Sequence, residues 1–247
     1  GLVYNEKVKL ASVISIFKSV LSFLNENKME KLQLKLIPSI YYQKPAEELN
    51  YALFLADAQL IRRDSMAVID LSKKFLIANG RKEGIKKGLK NKLEIREVDD
   101  FEEFWNQILI PNLTQKHHAK PVHSLEEIIK LKALFPENIR QFNVYQSGII
   151  VAGTTIFETT NVAHCQYISG KEGKNELGGL DLLFYQLISE TFKNKRFFDF
   201  GTSNENQGRK LNNGLSFWKE SFGASTIVHD FYEVETSNGS LLEIVLL

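Results

Sequence analysis

Arg140-Gln-Phe-Asn-Val-Tyr-Gln-Ser-Gly-Ile-Ile-Val-Ala-Gly-Thr-Thr-Ile-Phe157, followed by Val162-Ala-His-Cys-Gln-Tyr-Ile-Ser169, holds three runs of β-branched and aromatic residues separated by turn residues. Gln146-Ser147-Gly148 reads as a tight hairpin turn, so Arg140–Tyr145, Ile149–Phe157 and Val162–Ser169 are three successive strands. Between Arg140 and Lys171 the only charge is Glu158. A helix that spans a bilayer needs about 20 predominantly apolar residues. Here Asn143, Gln146, Ser147, Gly148, Thr154, Thr155, Thr159, Thr160, Asn161 and Gln166 interrupt the run, which suits paired strands and excludes a spanning helix.

Downstream, the glycine-bearing loop Gly170–Gly179 precedes a helix from about Leu180, whose Leu183, Phe184, Leu187 and Ile188 share one face. Arg196–Gly201 is almost wholly apolar and is expected in the middle of a sheet. Leu211, Leu215, Trp218 and Phe222 mark another helix, and Thr226–Val234 a last strand. Upstream, Ser124 with Glu127 three residues on has capping-box spacing for a helix that stops at Pro136. Asp99-Asp100 opens a helix with Phe101, Phe104, Trp105, Ile108 and Leu109 on one stripe, ended or kinked at Pro111 or Asn112. Leu93-Glu94-Ile95 is a strand, and 79–91 a helix despite Gly80, Gly84 and Gly88, each costing about 1 kcal/mol there. Before these come a helix over 8–27, a short strand Leu32–Ile37 stopped by Pro38, a helical piece near 46–57 and a long strand or strand pair through Leu60–Leu71.

The chain has 247 residues with 31 basic against 30 acidic groups, 43% hydrophobic residues and 17 Phe. A chain of this size buries about 70–75% of its unfolded surface, which excludes general disorder. Cys165 is the only cysteine and forms no internal disulfide. With no basic-then-apolar leader, a cytoplasmic location is expected. Charge is uneven: residues 73–96 hold nine basic and two acidic groups, a net of +7 against −6 for the remainder. Such a segment steers an anionic small molecule such as a nucleotide-sugar, or tRNA, unless it is simply a solvated face. Gly80, Gly84 and Gly88 share one helical face, open to close approach by a ligand or another helix.

The stretch Phe198-Asp-Phe-Gly-Thr-Ser-Asn-Glu-Asn-Gln-Gly-Arg-Lys-Leu-Asn-Asn-Gly-Leu-Ser-Phe-Trp-Lys-Glu-Ser-Phe-Gly223 resembles the FemAB/FemX-like branch of the GNAT (GCN5-related N-acyltransferase) superfamily. Asp199-Phe-Gly at a strand end matches, as does Phe217-Trp-Lys219-x-x-Phe222-Gly223, in which Trp218 reads as an insertion into a Phe-Lys-x-x-Phe-Gly signature. The segment Arg81–Ile95 is similar to that family's basic helix leading into the second domain, and the order of elements over 92–235 is that of a GNAT domain. The resemblance implies an α/β fold of α+β type. Its GNAT-like mixed sheet is flanked by helices, with a complete domain at 92–247 and a partial GNAT-like N-terminal domain at 1–91 whose upstream strands are expected to be missing. It also implies an acyltransferase that moves an acyl or aminoacyl group, from acyl-CoA or aminoacyl-tRNA, to an amine of an amino sugar or cell-envelope precursor. A non-catalytic GNAT-like binding module is the alternative. Nucleic-acid binding without catalysis is a third reading, resting on the basic segment alone.

Acyl transfer to an amine needs a donor held still, a hydrogen-bond donor for the developing oxyanion, and a neutral amine. Lys219 resembles the family's lysine that meets donor phosphate or transition-state charge, against a plain solvated lysine. Asp199, between Phe198 and Phe200, is expected to be buried and therefore hydrogen-bonded to the turn at Thr202-Ser203, or catalytic. Gly178 and Gly179 at a helix start could cradle a CoA pyrophosphate. The backbone through Tyr167 and Ser169, with Asn204 beyond, stands on the donor side, and Arg81, Lys86 and His123 on the substrate side. His118 is the candidate proton acceptor. His117, His118 and His123 fit no zinc spacing, so no metal is expected. Asp199-Phe200-Gly201 lacks the companion segments of a kinase, which excludes that reading.

Overall fold

The computed structural model describes residues 1–5, 7–117, 119–171 and 177–245, leaving aside the side chains of 116 and 117. In chain order the elements are α1 (Leu10–Glu26), β1 (Lys31–Lys35), α2 (Glu48–Leu55), β2 (Gln59–Asp70), α3 (Asn79–Lys90) and β3 (Glu94–Val98). Next come α4, α5 (Leu125–Leu134), β4 (Ile139–Gln146), β5 (Ile149–Glu158) and β6 (Val162–Gly170). Then follow α6 (Gly179–Gln186), β7 (Phe197–Thr202), the two-residue strands β8 (Asn204–Glu205) and β9 (Lys210–Leu211), α7 (Asn213–Glu220), β10 (Ser225–Glu235) and a 3-10 helical segment, Thr236–Leu242.

The helix α4 corrects one expectation. It begins as Glu102–Phe104, widens into a π-helical turn over Trp105–Leu109 and continues as Ile110–His117, passing through Pro111. A proline inside a helix has no N–H to give and crowds the carbonyl four residues back; a wide turn just before it relieves both. Other local signals form as the sequence dictates. Ser124 and Glu127 close a capping box, with Ser124 Oγ accepting from the Glu127 N–H at 3.2 Å and the Ser124 N–H donating to Glu127 Oε2 at 2.7 Å. Ser147 and Gly148 both have positive φ, at 50° and 79°, as a two-residue hairpin turn requires.

Two compact units make up the chain: Gly1–Ser65 with Asn204–Asn212 and Ile227–Leu247, and Met66–Ser203 with Asn213–Thr226. A division after Asn91 falls elsewhere, because α3 and β3 both lie in the second unit. In the first unit β1 pairs antiparallel with β10, from Lys31↔Glu235 to Lys35↔Phe231. Its core gathers Ile14, Phe17 and Leu21 of α1, Leu49, Ala52 and Leu53 of α2, and Val234.

In the second unit a mixed sheet runs in the order β2-β7-β6-β5-β4-β3. All neighbours are antiparallel except β6 and β7, which are parallel. The apolar strand β7 is interior to this sheet, as its composition requires. One face packs Leu183, Phe184, Leu187 and Ile188, with Phe222, against Phe142, Ala163, Cys165, Phe198 and Phe200. The other packs Phe101, Phe104, Trp105 and Ile108 of α4 and Ile128 of α5 against Tyr145, Ile150 and Tyr167.

The glycines of α3 find their reason in this unit. A Cβ on Gly88 would lie 2.8 Å from Leu182 Cβ and 3.0 Å from the Gly178 carbonyl, and one on Gly178 would lie 2.1 Å from the Gly84 carbonyl. The approach that these glycines allow is by helix α6. The opposite side of α3 leaves Lys82, Lys86, Lys87 and Lys90 exposed.

Candidate active site

The parallel register of β6 and β7 is short. Val162↔Phe197, Ala163↔Phe198 and His164↔Asp199 are partners, and there the pairing ends although β6 continues to Gly170 and β7 to Thr202. At the parting point β6 carries a bulge: Cys165 faces Ile156 and Tyr167 faces Thr155, so Gln166 is an extra residue against β5. A bulge bends its strand and breaks its ladder, which turns β6 away from β7. The result is a fork whose inner backbone edges lie beyond the last strand pair.

Four groups fix the closed end of the fork. Asp199 is fully buried, and its carboxylate lies 2.8 Å from His164 Nδ1 and accepts the Gly201 N–H at 2.7 Å. These contacts join Asp199 to Gly201 and His164. Gly201 has a φ of +71°, and a Cβ there would lie 3.4 Å from His164 Cε1, so the ring leans along the opening strands over Gly201. Lys219 is 3% exposed, and its Nζ donates to the Gly201 carbonyl at 3.1 Å and the Thr202 carbonyl at 2.7 Å. It is therefore a buried cap on the β7 arm and not a solvated helix lysine. Burial lowers its ammonium from the usual lysine range to about 8, against the pull of nearby Cys165 and Asp199. Ser203, next along, has its hydroxyl buried without a partner among the described residues.

The β6 arm is held from the α4 side. Asn112 Nδ2 donates to Ser169 Oγ and to the Gly170 carbonyl, each at 2.8 Å. The Tyr167 ring stands edge-on to Trp105 at 5.1 Å. Its phenol oxygen accepts the His123 N–H at 3.0 Å and lies within hydrogen-bond distance, 2.8 Å, of His123 Nδ1. Burial raises the Tyr167 phenol above the usual tyrosine range, so it is protonated at neutral pH. Tyr167 and His123, read from separate segments, are thus one pair.

The other expected residues are placed differently. Arg81 Nη1 is 2.6 Å from Asp181 Oδ1 in the first turn of α6, where a carboxylate suits the helix dipole. Gly178 starts that helix with a φ of +74° and is pressed onto α3. Lys86 pairs with its neighbour Glu83 at 2.8 Å on the exposed side of α3. Asn204, in the first unit, accepts from the N–H and the hydroxyl of Ser65, each at 2.7 Å. His118 lies outside the described residues. The Trp218 ring packs 5.4 Å from Phe184, 5.8 Å from Phe200 and 5.1 Å from Phe222, while Phe217 is 71% exposed. His164 was missed altogether. Its only sequence signal is a polar residue in an apolar strand, and its partner is 35 positions away.

A mixed sheet whose central parallel pair opens beyond three residue pairs, with helices on both faces, is a GNAT-type fold. No family model and no curated protein matches the sequence. Solved structures do match. FemX aligns with a TM-score of 0.68 at 9% identity over 97% of this chain and 81% of its own. L-PGS from Bacillus licheniformis aligns with a TM-score of 0.62 at 13% identity, over 94% and 78%. A DUF2156 domain from Agrobacterium fabrum aligns with a TM-score of 0.61 at 11% identity, over 95% and 75%. The likeness is one of fold, and the fold is FemX-like. Among the described residues no helix is long and apolar enough to cross a membrane, and no His, Cys, Asp and Glu side chains gather as a metal site.

Proposed function

We propose that this protein is an acyl- or aminoacyl-transferase whose donor lies in the fork between β6 and β7 and whose acceptor is an amine. The observation that carries the proposal is the loss of pairing after His164↔Asp199 while both strands run on. An opened strand pair offers backbone N–H groups along the β6 arm to a donor's amide and carbonyl oxygens, held in position before any substrate binds. Lys219 keeps the β7 arm in place through its two carbonyl contacts, and a cation at that end of the fork suits the transition-state role that the sequence resemblance implies. Tyr167 and His123 form the wall of the β6 arm. The exposed lysines of α3 suit a polyanionic donor or acceptor, a charged tRNA or a nucleotide-sugar among them.

The test is direct. The full chain is incubated with acyl-CoA compounds and with aminoacyl-tRNA, with and without amino sugars, and followed by thermal shift, thiol release and deacylation. Stabilisation by one donor class, with turnover that depends on an amine, supports the reading. Donor binding without any turnover would favour a non-catalytic binding module.

A further inference from the structure

Resting on that reading, we propose that the Ser169 hydroxyl gives a hydrogen bond to the reacting carbonyl oxygen of the acyl donor, and that Asn112 is the residue that positions it. Ser169 lies on the β6 arm, five positions past the last residue of β6 that pairs with β7, and is 4% exposed. The Asn112 amide nitrogen gives one N–H to its hydroxyl and the other to the Gly170 carbonyl, each at 2.8 Å. A carbonyl only accepts, so it is the nitrogen of the amide that faces the strand, and both of its protons are spent there. Ser169 Oγ is therefore the acceptor in its bond to Asn112 and keeps its own proton to give. No acceptor for that proton stands within hydrogen-bond reach among the described residues. Buried polar groups are ordinarily partnered, so a hydroxyl held in this state inside the fork calls for an acceptor that arrives with a ligand.

The β7 arm repeats the pattern independently. Ser203 follows Thr202 at the end of β7, is 5% exposed, and its hydroxyl has no partner among the described residues. Each arm thus carries a buried hydroxyl with an unspent proton, and a ligand lying between the arms must offer oxygen acceptors. An acyl donor brings one in its reacting carbonyl. That carbonyl falls to Ser169, because the bond from Asn112 restricts the rotation of its O–H. In the transfer, the amine lone pair forms a bond to the carbonyl carbon and the carbonyl π pair moves onto its oxygen, where the Ser169 O–H stabilises the charge and keeps its proton. The pair then returns, the carbonyl–sulfur or carbonyl–oxygen bond breaks, and its electrons leave with the sulfur or oxygen, which takes up the proton that the amine nitrogen loses. Ser169 is neither acylated nor ionised at any point.

The experiment has two arms on the full chain. In the first, which needs neither turnover nor a variant, the wild type is crystallised with a ketone analogue of acyl-CoA, in which a methylene separates sulfur from carbonyl, or with an amide-linked aminoacyl-adenosine, whichever binds. Ser169 Oγ is expected at about 2.5–3.0 Å from the carbonyl oxygen of the analogue. A bound analogue whose carbonyl oxygen meets only other groups overturns the proposal. In transfer assays with the donor that turns over, Ser169→Ala is expected to lower kcat by about 10²–10³-fold with donor KM unchanged, the loss that follows removal of one hydrogen-bond donor to a developing oxyanion. Asn112→Ala is expected to lower kcat in the same direction and to add little to Ser169→Ala in the double variant, since it acts through that hydroxyl. Losses that multiply in full overturn the positioning role. If Ser169→Ala keeps wild-type kcat, the role of Ser169 fails while the transferase reading stands. If the wild type binds neither analogue and turns over no donor, the transferase reading itself fails and takes the role of Ser169 with it.

Discussion

Asp199 and Lys219 meet the same short backbone segment: the carboxylate accepts the Gly201 N–H at 2.7 Å, and the ammonium donates to the Gly201 carbonyl at 3.1 Å. One peptide group on each side of Gly201 is thereby pinned by a buried side chain of opposite charge. This pinning lets β7 run on past its last partner in β6 without collapsing back onto it.

Replacing the carboxylate should therefore cost stability. Asp199→Ala leaves the buried Gly201 N–H without its acceptor, at about 1–3 kcal/mol. Urea unfolding midpoints measure this, and an unchanged midpoint would contradict the arrangement.

Lys219 gives a pH signature. Its folded pKa is about 8, below that of an exposed lysine, so between pH 8 and the unfolded lysine value the unfolded chain binds more protons. Stability then rises with pH through that window, by up to about 3 kcal/mol, and the burial penalty is present in full below it. The wild-type minus Lys219→Met difference in unfolding free energy should climb across the window. A flat difference would show that the amine is not desolvated.

The glycines of α3 and α6 separate into two kinds. A Cβ on Gly80 meets nothing within 4 Å. Gly80→Ala is expected to stabilise by up to about 1 kcal/mol through helix propensity. Gly178→Ala combines a φ of +74° with a Cβ 2.1 Å from the Gly84 carbonyl, and is expected to lose well over 1 kcal/mol. Thermal melts of the two variants should move in opposite directions.

Deleting Gln166 removes the bulge and restores a regular ladder between β5 and β6, leaving Tyr167 on its face of the sheet. The variant is expected to fold, with its unfolding midpoint near that of the wild type, and to lose donor binding. Retained binding with the bulge removed would detach the bulge from the fork.

Much of this was legible before any coordinates, because local rules govern it. The hairpin at Ser147-Gly148, the capping box at Ser124 and the interior place of β7 follow from turn chemistry, spacing and apolar content. The element order carried the GNAT-type sheet for the same reason. The π turn before Pro111 was not legible, since helix width there answers to the packing of Trp105 and Ile108 against the sheet. The bulge at Gln166 and the His164–Asp199 pair were not legible either: both depend on strand register, which no residue near them announces. The pairing of Arg81 with Asp181 was not legible, because the two are distant in sequence. The sharing of Trp218 and Phe217 between core and solvent could have been read from helical phase, since Trp218 lies four positions before Phe222.

The central claim is that β6 and β7 part beyond His164 and Asp199 to receive an acyl donor. It is tested most directly by backbone amide NMR of the full chain titrated with a non-transferable acyl-CoA and, separately, with a non-hydrolysable mimic of an aminoacyl-tRNA end. The account predicts that one of these shifts and protects amides of Gln166–Gly170 and Gly201–Ser203, while those of Val162–His164 are already protected without it. If the amides beyond the fork are as protected as the paired ones in the unliganded protein, and neither compound perturbs them, the account is contradicted.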